Sequence, residues 1–274
     1  MGCLCDKSEW ETYEDCIEKS LDKSLLSSKH CEKIIKSIHR TTLHFHLTKT
    51  QLSETLAYLK LTLSPDLEAI LSHFLEQPRE CKFIKIQGLK SEYGKDYHTL
   101  MYSVKKLSAF GILLGEGNTE EKAKCLFSVY DIDASNNLSK WEISVMINDL
   151  MDIVLRIIPE ITAGFFPELS EKLQDYQEKL KSMRNNFVGF FKYLLLEDNK
   201  NEMTSEEFIL AMKQVDMRVI LNHRTLRLMM ITNFQKCSKL FSEFQREVSD
   251  FQVTTKPSPR EKDMGDTRDS LKPE

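Results

Sequence analysis

The sequence predicts an all-α protein made of paired helix–loop–helix units, and three observations lead there. Glycine and proline are scarce, 9 and 7 in 274 residues, while long stretches are rich in Leu, Lys, Glu and Ile. Such side chains lose little rotamer freedom in a helix. Apolar residues return at helical spacing along most of the chain. The same punctuation also recurs between helices: a short extended apolar residue, a polar cap, then a new helix.

Taken in order, residues 9–30 are polar and acidic and read as a loose helix, and segment 1–23 reads as an acylated, flexible lead-in. From Ser24 onward Ile34, Ile35 and Ile38, then Leu52, Leu56, Leu59 and Leu61, fall at helical spacing. Between them "LHFHLTKTQL" (43–52) alternates briefly and restarts a helix at Thr48 or Thr50. Then come "DLEAILSHFL" (66–75), a break at Pro78, "KFIKIQGL" (82–89) and a helix over "DYHTLMYSVKKL" (96–107). Residues 24–115 thus form a first pair of units.

The second pair, 116–251, begins more clearly. Asn118 and Glu121 make a capping box, and Ala123, Leu126, Phe127 and Tyr130 form one apolar face. Ile143, Met146, Ile147, Leu150 and Val154 form the next face, and Pro159 closes that helical region. Residues 160–186 are a helical insert starting near Pro167, with Leu169, Leu173, Tyr176, Leu180 and Met183 as its stripe. A separate helix (Phe187, Phe190, Phe191, Leu194, Leu195) runs into "LEDNKNEMTSEEFILAM". A last long helix covers about 219–251, and 252–274 is a disordered tail poor in apolar residues.

Composition narrows the function. A net charge of −4 with Lys and Arg scattered offers no footprint for nucleic acid. No run of 18 apolar residues spans a membrane, and no signal peptide precedes the first charged segment. Seven cysteines, odd in number and mostly isolated, suit a reducing cytoplasm. Cys125 fits a small core residue. No nucleophile elbow, phosphate loop, dinucleotide fingerprint or paired-carboxylate motif is present, so the chain reads as a non-enzyme. His39, His44 and His46 lack a fourth ligand nearby and read as surface histidines rather than a zinc site.

The one stretch dense in oxygen donors is "VYDIDASNNLSKWEI", 129–143. Calcium takes six to eight oxygens, and a twelve-residue loop wraps it with alternate side chains. Counted from Asp131, the donors are Asp131, Asp133 and Ser135, the Asn137 carbonyl, Ser139 through water, and Glu142 with both oxygens. Leu138 is the core-facing residue, and Asn136 stands where the sharp turn prefers glycine. This pattern resembles an EF-hand loop. With three carboxylates its expected affinity is roughly 10⁻⁶–10⁻⁵ M. The alternative is an acidic capping loop that holds no ion. A second frame, 196–207, keeps Asp198, Met203 and Glu207 but puts Leu196 first and Lys200 fifth, a weak metal candidate. In the first half Leu47 with Gln51, and Ile84 with Gly88, mark two units without their carboxylates.

The chain opens "MGCLCDKS". Gly2 is placed for N-myristoylation and Cys3 and Cys5 for palmitoylation, resembling dually acylated signalling proteins that open Met-Gly-Cys. One myristoyl chain binds a membrane only marginally, and residues 1–30 are too acidic to supply a basic second signal, so palmitate would be that signal. Asp6 stands where Ser or Thr is preferred; a plain terminus and a metal-binding CxC pair are the other readings.

Together, Gly2, the degenerate early units and "EEKAKCLFSVYDID" resemble the neuronal calcium sensor and calcineurin-B-like group. The 65-residue offset between the two loops, 131 to 196, departs from it. The resemblance implies Ca²⁺ as cofactor and a cytoplasmic, membrane-peripheral sensor that opens an apolar groove to a protein partner. That groove would draw on Phe127, Met146, Ile147, Leu150, Met212, Met217, Met229 and Met230. A structural scaffold or a constitutive regulatory subunit is the alternative.

Overall fold

The computed structural model describes residues 9–42, 45–76, 101–196 and 201–231. They are mostly helical. The first half contains α1 (Glu9–Asp22), α2 (Cys31–Thr41), β1 (His46–Leu47), α3 (Lys49–Tyr58), α4 (Pro65–Ser72), β2 (Leu75–Glu76), β3 (Met101–Ser103) and α5 (Val104–Leu114). The second contains α6 (Thr119–Tyr130), β4 (Asn137–Ser139), α7 (Lys140–Asp152), α8 (Ile158–Phe165) and α9 (Ser170–Leu196). These lead to β5 (Glu202–Thr204), α10 (Ser205–Lys213), α11 (Val215–Arg218) and a helix over 223–231, α12.

One local device recurs: an apolar strand residue, a hydroxyl N-cap, and a helix. Leu47–Thr48, Tyr102–Ser103, Leu138–Ser139 and Met203–Thr204 all follow it. At Thr48, Ser139 and Thr204 the cap accepts the N3 amide while Gln51, Glu142 or Glu207 reaches back to the cap amide. Two otherwise orphaned donors are satisfied at each. Ser103 makes no side-chain cap bond, and Lys106 at N3 has no acceptor to return one to the cap amide. Lys106 pairs instead with Glu76 at 2.7 Å and Asp152 at 3.3 Å.

The strands pair antiparallel within each half. Leu47 lies opposite Tyr102, and Leu138 opposite Met203, all four buried. β2 adds to the far side of β3, with Leu75 opposite Tyr102. Two expectations are corrected here. Met101–Ser103 is strand, not part of a helix over 96–107. The strand opposite Leu47 is therefore centred on Tyr102, not on Ile84; Ile84 and Gly88 lie outside the described residues. Pairing on both edges and burial of the Tyr102 ring override the helical reading of that stretch.

Pro159 does not end the helix begun at Lys140. Residues Ile153–Ile157 widen into a π turn, where the Ile158 N–H reaches the Ile153 carbonyl, and α8 follows with Pro159 in its first turn. A missing amide is harmless there, and the π turn absorbs the ring's clash with the preceding carbonyl. Full burial of Ile153, Val154, Ile157 and Ile158 holds this irregular stretch in place. Nor does a boundary fall at 186. After a single 3-10 turn at Pro167–Leu169, α9 runs unbroken for 27 residues. Leu173, Tyr176, Leu180, Met183, Phe187, Phe191 and Leu195 form its one buried stripe.

The expected flexibility of 1–23 does not extend to Glu9–Asp22. Tyr13, Ile17 and Leu21 repeat every four residues and are buried where α1 meets α8 and α9. Beside them Glu14, 1% exposed, accepts bonds from the Arg227 guanidinium of α12 at 2.8 and 2.7 Å and from the Tyr176 hydroxyl at 2.6 Å. Ser20 and Thr162 add a hydroxyl pair at 2.9 Å. α12 itself starts at 223, after a 3-10 turn (Val219–Leu221) and an Asn222 cap, rather than at 219. Residues 232–251 of the expected long helix, and the tail 252–274, lie outside the described residues.

This clasp implies an acid sensitivity. Arg227 donates to His223 Nδ1 at 3.3 Å, which requires a neutral ring protonated on Nε2. Burial, with the Arg227 charge beside it, pushes the His223 pKa down to about 2. The unfolded chain protonates this histidine below about 6.5 and the folded one does not, so stability falls as pH drops through that value. Denaturant titrations between about pH 7.5 and pH 5 are expected to show a loss of about 2 kcal/mol from this group. His223→Asn, which keeps an acceptor, is expected to remove that part of the loss.

Candidate metal centre

α6 delivers the loop and α7 receives it. Phe127 and Tyr130 anchor the last turn of α6 in the core, so Asp131 caps the helix with its amide bonded to the Phe127 carbonyl. Ala134 and Asn136 then take left-handed conformations, φ 54° and 57°. Asn136 thus adopts the turn that its position asks for, a conformation asparagine enters more readily than most residues. Leu138, fully buried, pins the far side against Met203 of β5, and the Lys140 amide bonds to the Asn201 carbonyl at 2.8 Å.

Asp131, Asp133 and Glu142 each present an oxygen within 4.8 Å of the others. Among the described residues this is the one group of three or more His, Cys, Asp or Glu side chains gathered so closely. Backbone amides hold them. Asp131 accepts from Ser135 and Asn136 at 3.0 and 3.1 Å, and Asp133 from Ser135 at 3.1 Å. Hydrogen bonding from Ser135 keeps the Asp133 carboxyl below its usual range. Glu142, 3% exposed, joins the two ends of the loop: one oxygen accepts the Ile132 amide at 2.9 Å, the other the Ser139 amide and hydroxyl at 2.9 and 2.7 Å.

The three remaining predicted donors are engaged locally. Ser135 Oγ donates to the Asn137 carbonyl at 3.1 Å, and Ser139 Oγ is committed to the α7 cap. The structure therefore brings three carboxylates together, with hydroxyl and carbonyl donors in the same loop but bonded to one another. Such an all-oxygen set suits a hard divalent cation and not a soft one. In the second frame Glu207 caps α10 through Thr204, while Asp198 lies outside the described residues, as do Gly2, Cys3, Cys5 and His44. Phe127 packs against Phe208 with ring centroids 5.8 Å apart and planes tilted by 57°, coupling α6 to α10.

No protein family, curated protein or solved structure matches the chain.

The surroundings hold groups that sequence reasoning passed over. Lys105 of α5 lies 5.2 Å from the Phe45 ring and 6.0 Å from the Trp141 ring, both exposed. Burial lowers its pKa while Asp149 and Glu142 raise it. A cavity of about 310 Å³ there is lined by Asp131, Ile132, Lys105, Phe45 and His39. Partial burial also lowers the His39 pKa. The signal for α5 was present in "MYSVKK", whose Tyr102–Ser103 step repeats Leu138–Ser139. Of the apolar residues expected to line a groove, Met146, Ile147, Leu150, Met212, Met217 and Met230 are fully buried and Met229 partly so. In this conformation they are core. Among the described residues, no helix is long and apolar enough to cross a membrane.

Proposed function

We propose that this chain is a calcium-binding protein of the EF-hand type, a cytoplasmic, membrane-anchored sensor that offers an apolar surface to a protein partner. The observation that carries the reading is the meeting of Asp131, Asp133 and Glu142 within 4.8 Å in a loop whose Leu138 pairs with Met203 of a second, similarly capped loop. The matching Leu47–Tyr102 pair in the first half supports a four-unit arrangement. The anchor rests on Gly2, Cys3 and Cys5 in the sequence.

Bound calcium supplies the positive charge that offsets repulsion among the three carboxylates. The chain's own lever is Glu142. It sits at N3 of α7, so its carboxylate and the helix move together. The face α7 buries, Met146, Ile147 and Leu150, is the surface a shift of that helix would uncover. Methionine suits a surface that alternates between core and partner. Full burial of these side chains favours one second reading, a scaffold whose helices never open.

Trp141, 62% exposed and inside the loop frame, reports on the site once Trp10 is changed to Phe. Titrated with calcium in a magnesium background, its fluorescence is expected to change saturably at roughly 10⁻⁶–10⁻⁵ M. Glu142→Gln should abolish the change. A flat trace together with no heat of binding would leave the scaffold reading standing.

A further inference from the structure

The whole chain carries a net charge of −4, yet one cleft collects five cationic side chains against a single lining carboxylate, Glu116. It measures about 760 Å³ and lies beside α2 and the end of α3. Lys33, Lys36 and Arg40 reach it at helical spacing, on the stripe of α2 opposite buried Ile34 and Ile38; Lys29 joins them from the extended residue before the α2 cap, and Lys60 closes it from the end of α3. Lys36 is paired with Glu32 at 2.6 Å. Among the described residues, Lys29, Lys33, Arg40 and Lys60 have no carboxylate partner. Like charges gathered this way, scattered in sequence but adjacent in space, are relieved by an anion.

Two backbone features point to the same place. Among the described residues, four non-glycine positions have positive φ; two belong to the 131–142 loop, and the others are Lys60 at 56° and Leu25 at 57°. Lys60 occupies the left-handed position that ends α3, where glycine is the easy choice. Leu25 is 55% exposed, and its carbonyl accepts the hydroxyl of Ser28, a cleft residue, at 2.8 Å. Tyr58, 57% exposed, lines the cleft with Arg40 5.5 Å above its ring.

We propose that this cleft binds the phosphate-bearing headgroup of an anionic membrane lipid, with Leu25 and Tyr58 entering the interface beside it. The exposed apolar pair decides between lipid and soluble anion. A free polyphosphate leaves Leu25 in water, whereas a membrane interface accepts an aliphatic and an aromatic side chain next to cations. The cleft thereby gathers in space a basic membrane signal that the acidic stretch 1–30 does not supply by itself, beside any acyl chain at Gly2. It deepens the membrane part of the proposed function and is independent of calcium.

The test uses the full chain, unacylated and with EDTA present, sedimented with vesicles of phosphatidylcholine alone or mixed with phosphatidylserine or a phosphoinositide. Retention is expected on the anionic vesicles only, falling with added salt. Lys33→Gln and Lys60→Gly should each weaken it roughly fivefold. Lys60→Gly also relieves the left-handed strain, so its thermal midpoint should hold or rise while binding falls. Leu25→Ser should weaken vesicle binding too. Equal retention on neutral vesicles, or lysine variants that bind like the parent, overturns the proposal. Binding of soluble inositol hexakisphosphate without vesicle retention overturns the lipid source. The Trp141 titration is read separately, so the cleft and the calcium site fail or stand independently.

Discussion

Replacing Arg227 with methionine is expected to cost about 3–5 kcal/mol of folding stability, because it strands the buried Glu14 carboxylate. For a chain of this length that corresponds to a fall in thermal midpoint of about 10 °C. Glu14→Gln should be at least as damaging, since it leaves the fully buried guanidinium charged and without its carboxylate. Glu18, 3.8 Å from the same guanidinium, softens the second loss, and burial raises its own pKa. Denaturant titrations of both variants and of the double replacement, read as a cycle, isolate the pair; a double variant more stable than either single one is the expected signature. Were the single variants within about 0.5 kcal/mol of the parent, α1 would not be clasped as the structure has it.

That ion pair also marks where sequence reading stops. Glu14 and Arg227 are 213 residues apart, so α1 looks like an acidic, loose segment until α12 covers it. Local chemistry was readable: the Asn118–Glu121 box and the α6 and α7 faces all depend on neighbours three or four residues away. So were the three carboxylates, because the loop that gathers them is only twelve residues long. Non-local effects were not. Tyr102 joins a strand because β1 and β2 lie on either side of it, and Pro159 sits inside a helical run because Ile153 to Ile158 are buried all around. The cations of α2 and Lys60 looked scattered because their proximity comes from helix pitch and from the packing of α3 against α2. Second-unit placement failed for a related reason: nothing local to Tyr102 marks it as the residue opposite Leu47, and only the pairing itself does.

Calcium at about 1 mM is expected, on the proposed reading, to raise unfolding free energy by about 2.7–4.1 kcal/mol, the linkage value for dissociation constants of 10⁻⁵–10⁻⁶ M. Glu142→Gln is the discriminating variant because glutamine still serves at N3 of a capping box. Its carbonyl can accept the Ser139 amide but its NH2 cannot accept the Ile132 amide that Glu142 holds, so the metal-free variant should lose about 1–2 kcal/mol and the calcium increment is read against that lower baseline. What it gives up is one of three carboxylates, and the calcium increment should collapse with it. A generic ionic effect predicts the opposite, the same increment in parent and variant. Trp141 then locates the ion. An increment that survives Glu142→Gln, leaves Trp141 silent and disappears in Glu207→Gln would assign the ion to the loop that ends at Glu207. Because Leu138 and Met203 pair across the two loops, and the Phe127 ring packs against Phe208, an ion in either loop bears on both. The hierarchy expected from the carboxylates is nevertheless plain: three converge at 131–142, and the second loop places Leu196 and Lys200 where oxygens are needed.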